Sequence, residues 1–247
     1  MTTSLPVAQS CCTLPPVESD YVPKGEIIKI GGLDVYIVGP KGSKNAVLVN
    51  YDIFGLQTKQ VCDILSSRGY RVAMPDLCRG DPWPIAQWPP AGGFGEVMAH
   101  ISKNATVESV RADMAATRAF LKTEGSVSFG ILGFCWGGRI VSLISDEPEY
   151  AAIALAHPVA VSLEDAAKIS APMLCLPAQD DDKATFEAIF EVVHKNHPSS
   201  KIRRFDDVPH GFAAARGDFG DPLMAKRANE AIAEIDDFFT THLTASA

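Results

Sequence analysis

The chain has 247 residues, 47% of them hydrophobic and 21% charged, and its 30 acidic and 22 basic side chains give a formal net charge of −8. This composition is typical of a globular protein and excludes a disordered or collagen-like chain. The acidic balance disfavours a nucleic-acid partner, and no apolar run approaches the roughly 18 residues that a membrane span needs.

The cysteines and the first residues predict a cytoplasmic protein. The six cysteines form no Cys-x-x-Cys pair, which argues against a zinc site and favours free thiols, including the adjacent Cys11 and Cys12. The first residues have neither the basic region nor the apolar core of a secretory signal. We expect no metal, no cofactor and no membrane partner.

In chain order, an irregular segment precedes one regular domain. Residues 1–24 contain four prolines and no hydrophobic periodicity, so we predict an extended arm followed by a single domain over 25–247. At the start of that domain, Gly31 and Gly32 separate the apolar stretches 26–30 and 33–38, which predicts a β-hairpin.

The rest of the chain alternates between two kinds of apolar segment. Five short runs that do not alternate with polar residues are typical of strands buried on both faces of a parallel sheet: 46–50, 71–75, 128–133, 151–156 and 173–177. Between and after them lie segments with helical spacing: 61–65, 105–122, 186–193 and 228–239. We therefore predict an α/β protein with a doubly wound, mostly parallel sheet flanked by helices.

A cysteine follows the run 128–133 in a strand–turn–helix pattern. Residues 133–138 read Gly-Phe-Cys-Trp-Gly-Gly and precede the apolar stretch 140–144. This is the Gly-x-nucleophile-x-Gly turn of α/β hydrolases, with cysteine in place of the usual serine. The helix N-terminus favours a thiolate, so Cys135 is the candidate nucleophile. The alternative is a tight glycine-rich turn around a buried cysteine.

In such a site the acid and the histidine follow the nucleophile along the chain, in that order. Three contiguous carboxylates, residues 180–182, come after the run 173–177, and His210 lies on a loop before a glycine. One carboxylate would orient the histidine, and the others would be loop charges or cap the next helix. The order 135, 181, 210 fits the fold.

A second strand end supplies the expected oxyanion hole. Residues 50–55 read Asn-Tyr-Asp-Ile-Phe-Gly and occupy the position from which α/β hydrolases contribute one backbone N–H, the second coming from the residue after the nucleophile. We expect these donors to be Ile53 and Trp136. Asp52, if it faces inward, places a carboxylate near the thiol.

Other strand ends carry candidates for substrate contact. Arg79 would meet an anionic substrate or else pair with Asp76 or Asp81. His157 precedes every candidate acid, so we assign it to the pocket lining. The Pro/Trp-rich loop 82–90 is either one wall of the pocket or surface packing. The full set of expected substrate contacts is Arg79, Phe54, Trp83, His157 and Phe212.

Four segments together resemble the dienelactone hydrolase family, the carboxymethylenebutenolidase-like α/β hydrolases. They occur in order over most of the chain: Tyr-Asp-Ile-Phe-Gly at 51–55, Pro-Asp-Leu-Cys-Arg-Gly-Asp-Pro-Trp at 75–83, Gly-Phe-Cys-Trp-Gly-Gly at 133–138 and His-Gly-Phe at 210–212. A cysteine turn combined with the acidic-Ile-Phe-Gly segment is far more specific than either motif alone.

The resemblance implies a triad of Cys135, His210 and Asp181, with Asp52 in the place of the acidic residue that helps to activate the resting thiol. Here that residue is aspartate, one methylene shorter than the glutamate of bacterial members. Arg216 lies six residues after His210, further than the substrate-binding arginine of those members.

The expected function is hydrolysis of a lactone or an activated enol ester, such as a dienelactone, through a thioester acyl-enzyme. The expected partner is a small-molecule ester or lactone, and the chain is expected to be a monomer or a weak homodimer. A broad carboxylesterase or thioesterase would use the same triad. A hydrolase fold retained as a non-catalytic small-molecule sensor is the remaining alternative.

Overall fold

The computed structural model describes residues 14–17 and 20–243; Cys11 and Cys12 lie outside these ranges. The strands are β1 (Glu26–Ile30), β2 (Leu33–Val38), β3 (Asn45–Asn50), β4 (Arg71–Pro75), β5 (Ser128–Phe134), β6 (Ala152–Ala156), β7 (Met173–Leu176) and β8 (Lys201–Ile202). The α-helices are α1 (Lys59–Ser67), α2 (Phe94–Ile101), α3 (Val107–Thr123), α4 (Trp136–Ile144), α5 (Leu163–Ala166), α6 (Lys183–Asn196) and α7 (Pro222–His242).

The strands form one sheet in the order β1-β2-β4-β3-β5-β6-β7-β8. From β4 to β8 all neighbours are parallel, and the β1–β2 hairpin adds antiparallel strands at one edge. Gly31 and Gly32 make the hairpin turn with φ of 60° and 86°, which side chains rarely adopt. The single α/β-hydrolase domain predicted from the sequence is confirmed.

The parallel strands are buried because helices flank the sheet. Every residue of β4, β5, β6 and β7 is buried, as their unbroken apolar runs predicted. In β5, Gly130 leaves space for Phe239 of α7; a Cβ atom there would lie 2.9 Å from the phenyl ring. No helix of the described residues is long and apolar enough to cross a bilayer.

The described part of segment 14–24 contains neither helix nor strand and is hydrogen-bonded to the domain. The Val17 backbone N–H donates to the Ala215 carbonyl at 2.8 Å. The Tyr21 hydroxyl donates to Asp63 of α1 at 2.7 Å. The first bond places residues 14–17 against the loop that follows His210, and the second holds Tyr21 against α1.

The turn between β5 and α4 is tightly packed. Cys135 has φ of 51°, an unusual value for a residue other than glycine, and is the residue before the first turn of α4. A Cβ atom at Gly133 would collide with the Gly137 carbonyl, and one at Gly137 would collide with the carbonyls of Asn50 and Tyr51. The backbones of β3, β5 and α4 therefore approach one another more closely than any side chain would permit.

This packing predicts that Gly137→Ala destabilises the protein severely. The new methyl group meets backbone atoms that cannot rotate away, so we expect a loss of at least about 3 kcal/mol in the free energy of unfolding, or no folding. The matched control is Gly95→Ala, because Gly95 is exposed in α2 and a Cβ atom there meets nothing within 4 Å. The control should gain about 0.5–1 kcal/mol. Urea unfolding measures both; equal stability of the two variants would contradict the packing argument.

Candidate active site

Cys135 lies at the centre of the carboxyl edge of the sheet. Its backbone N–H donates to the Ala156 carbonyl, and its carbonyl accepts from the Val159 N–H, both at 3.2 Å. These two bonds fix the turn against the end of β6. The side chain is fully buried at the N-terminus of α4, where the helix dipole favours a negative charge.

His210 and Asp181 form a buried hydrogen-bonded pair. The His210 Nδ1 atom lies 2.8 Å from Asp181 Oδ1, and the Ala178 N–H donates to Asp181 Oδ2 at 2.7 Å. Asp180 instead accepts from the backbone N–H of His210 at 2.7 Å. Asp182 caps α6 through the Thr185 N–H. Of the three adjacent carboxylates, Asp181 is therefore the one that meets the imidazole ring.

The charged groups around His210 favour the protonated form of its ring. Burial opposes the charged form, but the neighbouring Cys135 sulfur and the Asp181 carboxylate outweigh burial and raise the pKa of His210 to about 10. A protonated ring at this position would in turn favour negative charge on Cys135. The three side chains form a continuous line from carboxylate to sulfur.

Asp52 is a second buried carboxylate beside the thiol. Its oxygens accept hydrogen bonds from the Phe54 N–H at 2.9 Å and the Ala215 N–H at 3.1 Å. Burial and the negative charge of Cys135 raise the pKa of Asp52 to about 6, against the opposing effect of Arg216. Asp52 therefore faces inward, within electrostatic reach of both Cys135 and Arg216.

Arg216 is a buried cation that lies near Asp52 and packs against Phe54 and Trp88. Its guanidinium lies 5.0 Å from the ring centroids of both Phe54 and Trp88, and its Nε donates to the Leu14 carbonyl at 2.6 Å. Motif spacing assigned Arg216 only a weak resemblance to a substrate-binding arginine. A better indication in the sequence was that Arg216 follows the apolar residues 212–215. An arginine in such a run is buried only when it has partners, so its position predicts contact with acidic or aromatic groups.

The other predicted side chains divide into two groups. Ile53, Phe54 and Trp136 lie fully buried beside Cys135 and Asp52, and Phe212 packs with His157 at 5.6 Å between ring centroids. The side chains of Arg79 and Trp83 contact other residues, although the Trp83 backbone N–H donates to the Ile53 carbonyl at 3.0 Å.

Arg79 forms an ion pair with Asp113 of α3 at 2.9 Å, so the alternative pairing with Asp76 or Asp81 is wrong. Trp83 packs edge-on against His100 at 5.5 Å. From loop 82–90, the Trp88 side chain packs against Phe54 and Arg216.

The cluster formed by Cys135, His210, Asp52 and Arg216 is closed to solvent. Cys135, His210 and Asp52 are each 0% exposed, and Arg216 is 3% exposed. Because Cys135 is fully buried, part of its surroundings must move before a substrate can reach the sulfur. Within residues 14–17 and 20–243, no group of three His, Cys, Asp or Glu side chains is placed to hold a metal ion.

Comparison with known proteins identifies the family and the fold. A model of the dienelactone hydrolase family matches residues 33–243. A protein of the AIM2 family from Schizosaccharomyces pombe is 31% identical over 231 residues, covering 89% of this chain and 92% of the relative. Dienlactone hydrolase 1 of Gibberella moniliformis is 30% identical, with 84% of each chain covered. The crystal structure of a dienelactone hydrolase from Anabaena variabilis has the same fold, with a TM-score of 0.60 at 15% identity over 89% of this chain and 97% of that one.

The contact between Asp181 and His210 predicts how Asp181→Asn changes the imidazole. A neutral amide supports the imidazolium less well than a carboxylate, so we expect the pKa of His210 to fall by about 1–2. The matched control is Asp182→Asn, since asparagine is an equally good N-cap and Asp182 does not meet the ring. A titration of the histidine NMR signals measures both variants; an unchanged His210 in Asp181→Asn would contradict the assignment.

The burial of Asp52 predicts a stability difference that depends on pH. Folding raises the pKa of Asp52 to about 6, so ionisation of this group destabilises the folded state as pH rises from about 4 to above 6. Asp52→Asn avoids that cost. The free energy of unfolding of Asp52→Asn minus that of the natural protein should increase by about 2.5 kcal/mol between about pH 4 and about pH 8. Urea unfolding at both pH values tests this, and a pH-independent difference would refute it.

Proposed function

Because the chain belongs to the dienelactone hydrolase family and is a carboxylic ester hydrolase, we propose that it cleaves a lactone or activated enol ester, such as a dienelactone, through a thioester on Cys135. The observation that carries the proposal is the buried line of Asp181, His210 and Cys135 at the N-terminus of a helix. Cys62, Cys78 and Cys175 are buried free thiols, which supports a cytoplasmic enzyme.

In the first step the Cys135 thiolate attacks the substrate carbonyl carbon. A carbon–sulfur bond forms, and the carbonyl oxygen becomes an oxyanion that accepts hydrogen bonds from the backbone N–H groups of Ile53 and Trp136. Such donors each contribute roughly 3–4 kcal/mol in comparable sites. The bond to the leaving oxygen then breaks, and the imidazolium of His210 gives its proton to that oxygen.

Acylation prepares His210 for the second step. The thioester sulfur is uncharged, so the largest influence that raises the pKa of His210 disappears and the ring stays neutral. Neutral Nε2 takes a proton from water as the water oxygen attacks the thioester carbonyl. Collapse breaks the carbon–sulfur bond, releases the carboxylic acid and restores the thiolate beside the imidazolium.

Asp52 and Arg216 adjust the charge of the resting site. The role we assign to Asp52 is to accept the proton when the Cys135 thiol ionises. Arg216 is a buried cation beside Asp52 and Phe54, which favours an acyl group that carries a carboxylate. Phe54 and Phe212 would supply apolar contacts to the same substrate.

The thioester predicts a covalent adduct on one cysteine. After brief incubation with p-nitrophenyl acetate, intact mass and peptide mapping should show acetyl on Cys135, decaying as p-nitrophenol accumulates. Cys135→Ala should lower turnover at least about a thousandfold without loss of fold. The matched control is Cys62→Ala, whose thiol packs against the Met74 sulfur in the core and should leave turnover within about twofold.

The outcomes separate the alternatives. An adduct with a high preference for dienelactones over simple esters would support the proposal, whereas equal rates over many esters or thioesters would indicate a broad esterase. Full turnover in Cys135→Ala would overturn the cysteine mechanism. Binding of esters and dienelactones without turnover would indicate a small-molecule sensor.

A further inference from the structure

His157 is a buried histidine next to the proposed nucleophile. It follows β6 directly, between Ala156 and Val159, whose backbone groups both bond to Cys135. Its φ of 37° is unusual for a residue with a side chain, and its N–H donates to the Leu176 carbonyl at 2.8 Å. The backbone thus holds His157 firmly at the edge of the sheet where Cys135 lies.

The imidazole of His157 packs on that of His210. The two ring centroids are 4.9 Å apart at an interplanar angle of 63°, and Phe134 and Phe212 enclose the His157 ring at 5.8 and 5.6 Å. The side chain is 0% exposed. Neither of its ring nitrogens has a hydrogen-bond partner among the described residues.

Two unpaired nitrogens in an apolar enclosure cost free energy that phenylalanine, with a ring of similar size, would avoid. The presence of histidine at this position is therefore explained if its ring nitrogens form hydrogen bonds to a small molecule during the proposed hydrolysis. Burial, followed by the positive charges of His210 and Arg216, lowers the pKa of His157 well below its ordinary value. The ring is consequently neutral and offers one donor and one acceptor.

We propose that His157 binds the water molecule that hydrolyses the acyl-enzyme, an inference that rests on the proposed thioester at Cys135. A water that contacts one nitrogen of each ring donates a hydrogen bond to the acceptor nitrogen of His157. His210 Nε2 takes the other hydrogen as a proton while the water oxygen bonds to the thioester carbon. His157 keeps its own proton throughout, and its contribution is to hold the water in line for attack.

The test separates acylation from deacylation. In stopped-flow reactions with p-nitrophenyl acetate, His157→Phe should keep the rate and amplitude of the p-nitrophenol burst within about twofold. The steady rate that follows should fall at least about tenfold, and acetyl should accumulate on Cys135 by mass. His157→Gln retains an acceptor and should recover part of the steady rate. Circular dichroism checks the fold of both variants.

Release of the acetyl group by hydroxylamine distinguishes binding of water from a purely structural role of His157. As a stronger nucleophile than water it depends less on positioning, so it should release acetyl from His157→Phe nearly as fast as from the natural protein. Equal steady rates in the two proteins would overturn the proposal. A parallel fall of burst, hydrolysis and hydroxylamine release would also overturn it, because the ring would then merely position His210. If the natural protein forms no adduct on Cys135, the proposed function fails first and this inference with it.

Discussion

The backbone contact between β3 and α4 at Gly137 is the constraint on which the rest of the site depends. No Cβ atom fits there or at Gly133, so β5 turns into α4 within a few residues and Cys135 is held with positive φ. The same turn brings the sulfur to the N-terminus of α4 and within reach of loops from β3, β6 and β7. The reactive side chains converge because the backbones beneath them are in direct contact.

The buried charges of the site form one coupled system. Cys135 raises the pKa of both His210 and Asp52, while Arg216 opposes the rise at Asp52 and helps to keep His157 neutral. A change of charge on the sulfur therefore alters the pKa of both His210 and Asp52 without any movement of the backbone. The proposed acylation of Cys135 would, in this arrangement, also lower the proton affinity of His210.

Local patterns predicted most of the fold and the central residues of the site. Unbroken apolar runs identify buried parallel strands because they depend on neighbours in the chain. The Gly-x-Cys-x-Gly turn and the chain order nucleophile, acid, histidine predicted that Cys135, Asp181 and His210 would lie together, and the structure brings them together. The contacts that were missed are between distant segments. Arg79 meets Asp113, 34 residues away, and Arg216 meets Leu14, 202 residues away. Nothing in local periodicity specifies such pairings, which follow from how helices and loops pack on the finished sheet.

The closure of the site has a consequence for the chemical durability of the enzyme. If Cys135 is the nucleophile proposed above, its thiolate would react readily with hydrogen peroxide once the oxidant could reach it, and sulfinic acid at this position would end that role. The Cys135 side chain is 0% exposed. Peroxide can therefore oxidise Cys135 only while the surrounding residues are displaced. Oxidation of the resting protein should be slow, and oxidative inactivation should increase with the number of turnovers.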